Sequence, residues 1–185
     1  MRRSFLQPRI SLMATAAIAA IAGVGSGPAP AATINWTGGT SFWDIATNWS
    51  SNPLLPGAAD DVVLGAFNTT FRSGALTIQS FNGTGTLSVT GGALSTTLAS
   101  ATAGLNLSAG TIGGAGNVAV SGVLAWTGGT ITGTGATFAN TVNIGGAAGK
   151  TLSGGRILNA GNTAWSGNTG ANKPISLANT SVFNS

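Results

Sequence analysis

The chain has 185 residues, 30 of them glycine, with seven Lys and Arg against three acidic residues and neither His nor Cys. Without imidazoles or thiols it cannot assemble Ser-His-Asp or Cys-His nucleophilic systems, nor most transition-metal sites. Arg2, Arg3 and Arg9 account for three of the basic residues, leaving four against three beyond them, so the pI near 11.4 reflects a leader and not a basic patch for nucleic acid.

Those arginines precede an apolar run from Ile10 to Val24, then Gly and Pro, then Ala29, Pro30 and Ala31. Charge, a short apolar stretch and small residues, in that order, predict a secretory signal peptide over residues 1–31, cut after Ala31. Fifteen residues rich in Ala are short for a membrane span, which makes a retained anchor the weaker reading. Arg2 and Arg3 followed by Phe5 and Leu6 also resemble a twin-arginine signal, the alternative to general secretion. Either route predicts export, and the lack of Cys agrees with an exported protein that does not rely on disulfides.

Residues 32–67 differ in composition. They hold Trp36, Trp43 and Trp49, all three aspartates, Pro53, Pro56 and Gly57, and then Val62, Val63 and Leu64. A stacked array exposes an apolar end and unpaired strand edges at its first coil, and large aromatics, each burying about 150–250 Å², cover such an end well. The segment therefore reads as an N-terminal cap. The functional alternative is a sugar-stacking platform made by Trp36, Trp43 and Trp49 beside Asp44 and Asn48. Asp60 and Asp61 are neighbours that a strand would point to opposite faces, so they are expected to end the Pro-Gly turn and to keep the following strand edge charged.

From residue 68 to 185 a phrase recurs: two apolar positions around one residue, Ser or Thr, Gly or Ala, Gly, one free residue and an aliphatic. It runs Leu87 to Leu94, Leu105 to Ile112, Leu124 to Ile131, and Lys150 to Ile157 with Lys150 in the first apolar position. Its glycines are Gly92, Gly110, Gly129 and Gly155, with two nearly equal steps and then a longer one. A second phrase interleaves with it: Phe81, Gly83, Gly85 and Leu87; Ile112, Gly114, Gly116 and Val118; Ile131, Gly133, Gly135 and Thr137. Period-2 apolar runs joined by glycine pairs spell strand, corner, strand, corner. A repeat of about 19 residues holds roughly three short strands, which fits one coil of a parallel β-helix better than a propeller blade. The fold class expected is all-β, a β-solenoid with a Trp-rich N-terminal cap. Trp126 and Trp165 fall at aliphatic repeat positions and read as core residues. The longer step from Gly129 to Gly155 predicts a bulge of about seven extra residues near Gly145 to Lys150, and Lys150 and Arg156 are the candidate ligand residues there, because insertions concentrate on binding faces. Neither Gly83 to Gly85 nor Gly113 to Gly116 is followed by the Lys and Ser or Thr of a phosphate loop at the required spacing.

Trp36, Thr37 and Gly38, then Trp43, Asp44, Ala46, Asn48 and Trp49, then Pro56, Gly57, Asp60, Asp61, Val62 and Val63, together with the Gly-rich repeats, give the chain a resemblance to bacterial surface proteins of the autotransporter passenger type with β-strand repeats. The resemblance covers nearly the whole mature chain and implies a right-handed parallel β-helix at the cell surface. The resulting expectation is an exported structural or adhesive surface protein without catalysis or cofactor. Surface glycans and host or matrix proteins are the expected partners, nucleic acid is not, and the membrane enters only through export or a C-terminal anchor. A carbohydrate-binding module acting through the tryptophans is the first rival. A lyase-like β-helix enzyme is the second, but it needs paired carboxylates on one sugar, whereas all three aspartates lie in the cap. Near the C-terminus, Trp165, Ile175, Leu177 and Val182 suggest further strands with no capping helix. An open coil there predicts continuation in a longer protein or self-association.

Overall fold

The computed structural model describes residues 31–166 and 174–185; apart from Ala31, the expected leader lies outside the described residues. Two lead-in strands, β1 (Thr33–Asn35) and β2 (Ser41–Phe42), precede six full turns. The first three turns have three strands each: β3 (Asp61–Gly65), β4 (Thr69–Phe71) and β5 (Ala75–Ile78); β6 (Ser80–Gly83), β7 (Thr86–Val89) and β8 (Ala93–Thr96); β9 (Ser100–Thr102), β10 (Gly104–Leu107) and β11 (Thr111–Gly114). In the next three turns the first two strands merge into one long bent strand. These are β12 (Val118–Trp126) with β13 (Gly129–Thr132), β14 (Ala136–Ile144) with β15 (Lys150–Leu152), and β16 (Ile157–Trp165) with β17 (Ile175–Leu177); β18 (Val182–Asn184) follows.

Each strand pairs in parallel with its counterpart one turn on. The first and second faces of the coil belong to one twelve-stranded sheet, and the third face is a separate six-stranded sheet from β5 to β17. The chain is therefore an all-β parallel solenoid, as the repeat predicts. The Trp-rich segment joins it directly, since β1 pairs with β3 and β2 with β4.

Alternating side chains explain why these residues stack. Leu87, Leu105, Leu124 and Val142 form one inward column on the second face, and Leu94, Ile112, Ile131 and Leu152 form another on the third; all are buried. A slip of one residue would turn a whole strand's aliphatics to water, so the columns fix the register. Between these two faces the chain turns at Gly92, Gly110 and Gly129, with φ of +70°, +72° and +82°. A Cβ on Gly110 would stand 2.6 Å from the Gly92 carbonyl oxygen, so both conformation and close stacking demand glycine there.

The structure corrects the register of two repeat copies. Lys150 lies opposite Gly129 and Leu152 opposite Ile131, so the counterpart of Leu124 is Val142 and not Lys150. The long interval from Gly129 to Gly155 thus spans two different corners. Counterparts one turn apart are separated in sequence by 19 at Asp61 and Ser80, by 21 at Thr132 and Ser153, and by 25 at Asn159 and Asn184. The bulge is where the sequence places it but is smaller: residues 127–128 join β12 to β13, while residues 145–149 join β14 to β15. The Gly83 and Gly85 copy is also displaced. It turns from the first face to the second, whereas Gly114 and Gly133 turn from the third face to the next first face.

Candidate functional site

The three N-terminal tryptophans are drawn together inside the lead-in coil. Trp36 bridges to Trp49, their rings meet edge-on at 4.7 Å, Trp43 packs 4.7 Å from Trp49, and Phe71 packs 5.8 Å from Trp43. Trp49 Nε1 donates to the Trp43 carbonyl at 2.8 Å and Trp36 Nε1 to the Gly39 carbonyl at 2.9 Å, while Trp43 Nε1 has no partner among the described residues. None is more than 6 % exposed. A stacking platform needs open ring faces, and these rings face one another, so Trp36, Trp43 and Trp49 form the buried aromatic cluster expected of a cap, and the alternative of a sugar platform does not fit their geometry. Their polar neighbours are committed as well: Asp44 pairs with Arg72 at 3.1 Å, and Asn48 Nδ2 donates to Ser41 Oγ and the Phe42 carbonyl.

Lys150 and Arg156 differ from expectation. They are 1 % and 0 % exposed, inside the solenoid instead of on a projecting loop. Arg156 Nε donates to Thr137 Oγ1 at 2.8 Å; Nη1 reaches the carbonyls of Gly114 and Thr132, and Nη2 those of Gly116 and Ala136, all within 3.3 Å. Five donated bonds match the five N–H hydrogens of a guanidinium. Burial lowers its pKa from the ordinary guanidinium range to about 10, which leaves it charged at neutral pH. Lys150 Nζ donates to the carbonyls of Gly146 and Ala148 in the connection between β14 and β15, and burial lowers its pKa too. The lengthened corner therefore folds its carbonyls onto the Lys150 cation, and both side chains are turned inward.

A different concavity is open to solvent. Where the first face bends into the second, a groove of about 460 Å³ runs along the outside from Gly83 to Gly161. Those residues lie on turns two and six, four steps of about 4.8 Å, or roughly 19 Å. Its floor is a row in strict register: Ala101, Ala119, Phe138 and Asn159. The bend comes from a register shift between Val120 and Val123, where a Cβ on Gly122 would stand 2.7 Å from the Ala103 carbonyl oxygen. Two alanines leave the trough empty, and Phe138, 46 % exposed, stands next to them in the row. Asn140 carries an amide with no hydrogen bond among the described residues, whereas Asn159 Oδ1 accepts from Asn184 Nδ2 at 2.8 Å. Among the described residues, no charged one lines the groove.

Comparisons with family models, curated proteins and solved structures find no match to this chain. The groove is thus interpreted from its own chemistry. Sequence reasoning missed it because its residues occupy the outward positions of the same period-2 runs that reveal the core. Ala119 sits between Val118 and Val120, and Phe138 between Thr137 and Ala139. The available signal was a lone aromatic at an outward position, but only the register shows that small residues lie beside it.

Proposed function

We propose that this chain is an exported bacterial surface protein whose solenoid serves as a rigid, non-catalytic spacer or adhesive module. The observation that supports this most directly is the disposition of its charges. Asp44 pairs with Arg72, Asp60 Oδ2 accepts from the Gly57 amide at 2.7 Å, and Asp61 accepts from Ser80 Oγ. Lys150 and Arg156 are inside. Every one of these ionic groups braces a turn or a corner, leaving Ser, Thr, Asn and Ala to dominate the outward rows, such as Ser88, Asn106, Ala125 and Asn143 on the second face. A long, weakly charged wall of this kind suits contact with surface glycans or matrix proteins. The last turn, where Trp165 is 52 % exposed, is the natural place for self-association.

Export accords with the start of the fold. β1 begins at Thr33, just past the expected cut after Ala31, so removal of the leader would leave every strand in place. The test is made in the source bacterium. Mass spectrometry should find a mature N-terminus at Ala32, and antibodies should label intact cells. Retention of Met1 together with labelling only after permeabilisation would overturn the proposal.

A further inference from the structure

We infer that the groove along the first and second faces binds a neutral glycan chain, lying parallel to the solenoid axis with one sugar ring stacked on Phe138. Its volume falls within the range of small-ligand sites, and its composition, mostly apolar with a few polar groups, is that of a site that orients its ligand. The lining distinguishes among ligand classes. A polyanion is disfavoured because neither Lys nor Arg faces the groove among the described residues. An extended peptide would need an unpaired strand edge for main-chain bonds, yet β9, β12 and β14 are each paired on both sides. An acyl chain would need enclosure, whereas this trough is open along its length and bordered by Thr84, Ser121 and Asn140, all exposed.

A sugar chain meets all three conditions. Its apolar ring face matches the exposed phenyl of Phe138, and its hydroxyls match amides and hydroxyls. Ala101 and Ala119 leave room for neighbouring rings along the row. Asn140 supplies a free amide, and Asn159, held through Oδ1 by Asn184, keeps its Nδ2 as a fixed donor. The arrangement puts the sugar-binding role on Phe138 and leaves the tryptophans to packing.

The inference does not depend on where the protein resides, so its test uses the purified full chain and is separate from the export experiment. Titration calorimetry with cellohexaose, xylohexaose, chitohexaose and laminarihexaose should show binding of at least one. Phe138→Ala should weaken that binding at least about tenfold. Ala119→Trp, which fills the floor at an exposed position, should abolish it, with thermal unfolding of both variants close to the parent. If one variant does not fold, the other gives the same readout. The inference is overturned if none of the four binds at millimolar concentration, if binding persists in a folded variant, or if an anionic oligosaccharide competes more strongly than the neutral ones.

Discussion

The two ends of this solenoid keep their interiors dry by opposite means. At the N-terminal end, Trp36, Trp43, Trp49 and Phe71 fill the first coil with rings that need few hydrogen-bond partners. In the C-terminal half, Lys150 and Arg156 occupy the interior, where Lys150 satisfies carbonyls of the lengthened connection and Arg156 those of the third-to-first-face corners of two preceding turns. The aromatic end derives its stability from area, the cationic end from donors. The corners at Gly92 and Gly110 use neither device: glycines at positive φ let successive turns stack closely there.

Substitutions can break this comparison at either end. Trp49→Ala should have the largest effect, about 3–5 kcal/mol, since it removes a fully buried indole and leaves a cavity in the cap. Urea unfolding would measure it, and a loss under about 1 kcal/mol would show that the rings merely cover the end. Arg156→Met should come next. Each buried acceptor left without a partner costs about 1–3 kcal/mol, partly offset by removal of a buried charge, so a net loss of about 2–3 kcal/mol is expected. Hydrogen exchange should then accelerate at the corners 114–117 and 132–136 while the cap stays protected.

Alkaline pH sharpens the same point. The Arg156 pKa is about 10 when folded and higher in its ordinary state, so above about pH 10 the unfolded chain binds more protons. Stability contributed by this group therefore rises with pH across that window, and the parent should gain relative to Arg156→Met between about pH 10 and pH 12 in paired denaturant melts. A flat difference would mean that the five hydrogen bonds hold the proton against desolvation. Lys150→Ala should cost less, about 1–2 kcal/mol, because its carbonyl partners lie in a short connection that can turn towards water. The smallest effect belongs to Asp44→Asn. The Asp44–Arg72 pair is substantially exposed, so its loss should change the unfolding stability by less than about 1 kcal/mol and disappear at high salt.

The sequence made the solenoid legible because inward aliphatics at period 2 and corner glycines at nearly equal intervals are both imposed by stacking. Leu87, Leu105 and Leu124 could be aligned by eye, and they do stack. Lys150 misled for a physical reason. The inserted connection before it shifts the phase, and Lys-Thr-Leu happens to imitate the apolar opening of the phrase. Its burial with Arg156 was illegible because cations inside a coil depend on carbonyls from other turns, which have no counterpart in local sequence. Trp126 was correctly placed in the core at 0 % exposed. Trp165 holds the same column, but no second-face strand pairs beyond it among the described residues.

Arg156 also bears on how the molecule carries a load. The backbone ladders run along the solenoid axis, so tension applied at one end would open them turn by turn, each rupture sparing the turns behind it. From its own corner the guanidinium grips the two preceding ones at once, through Gly114 and Gly116 and through Thr132, Ala136 and Thr137. Peeling from the C-terminal end would meet that rivet within the first two turns, and the extension trace would pause there before the uniform middle gives way.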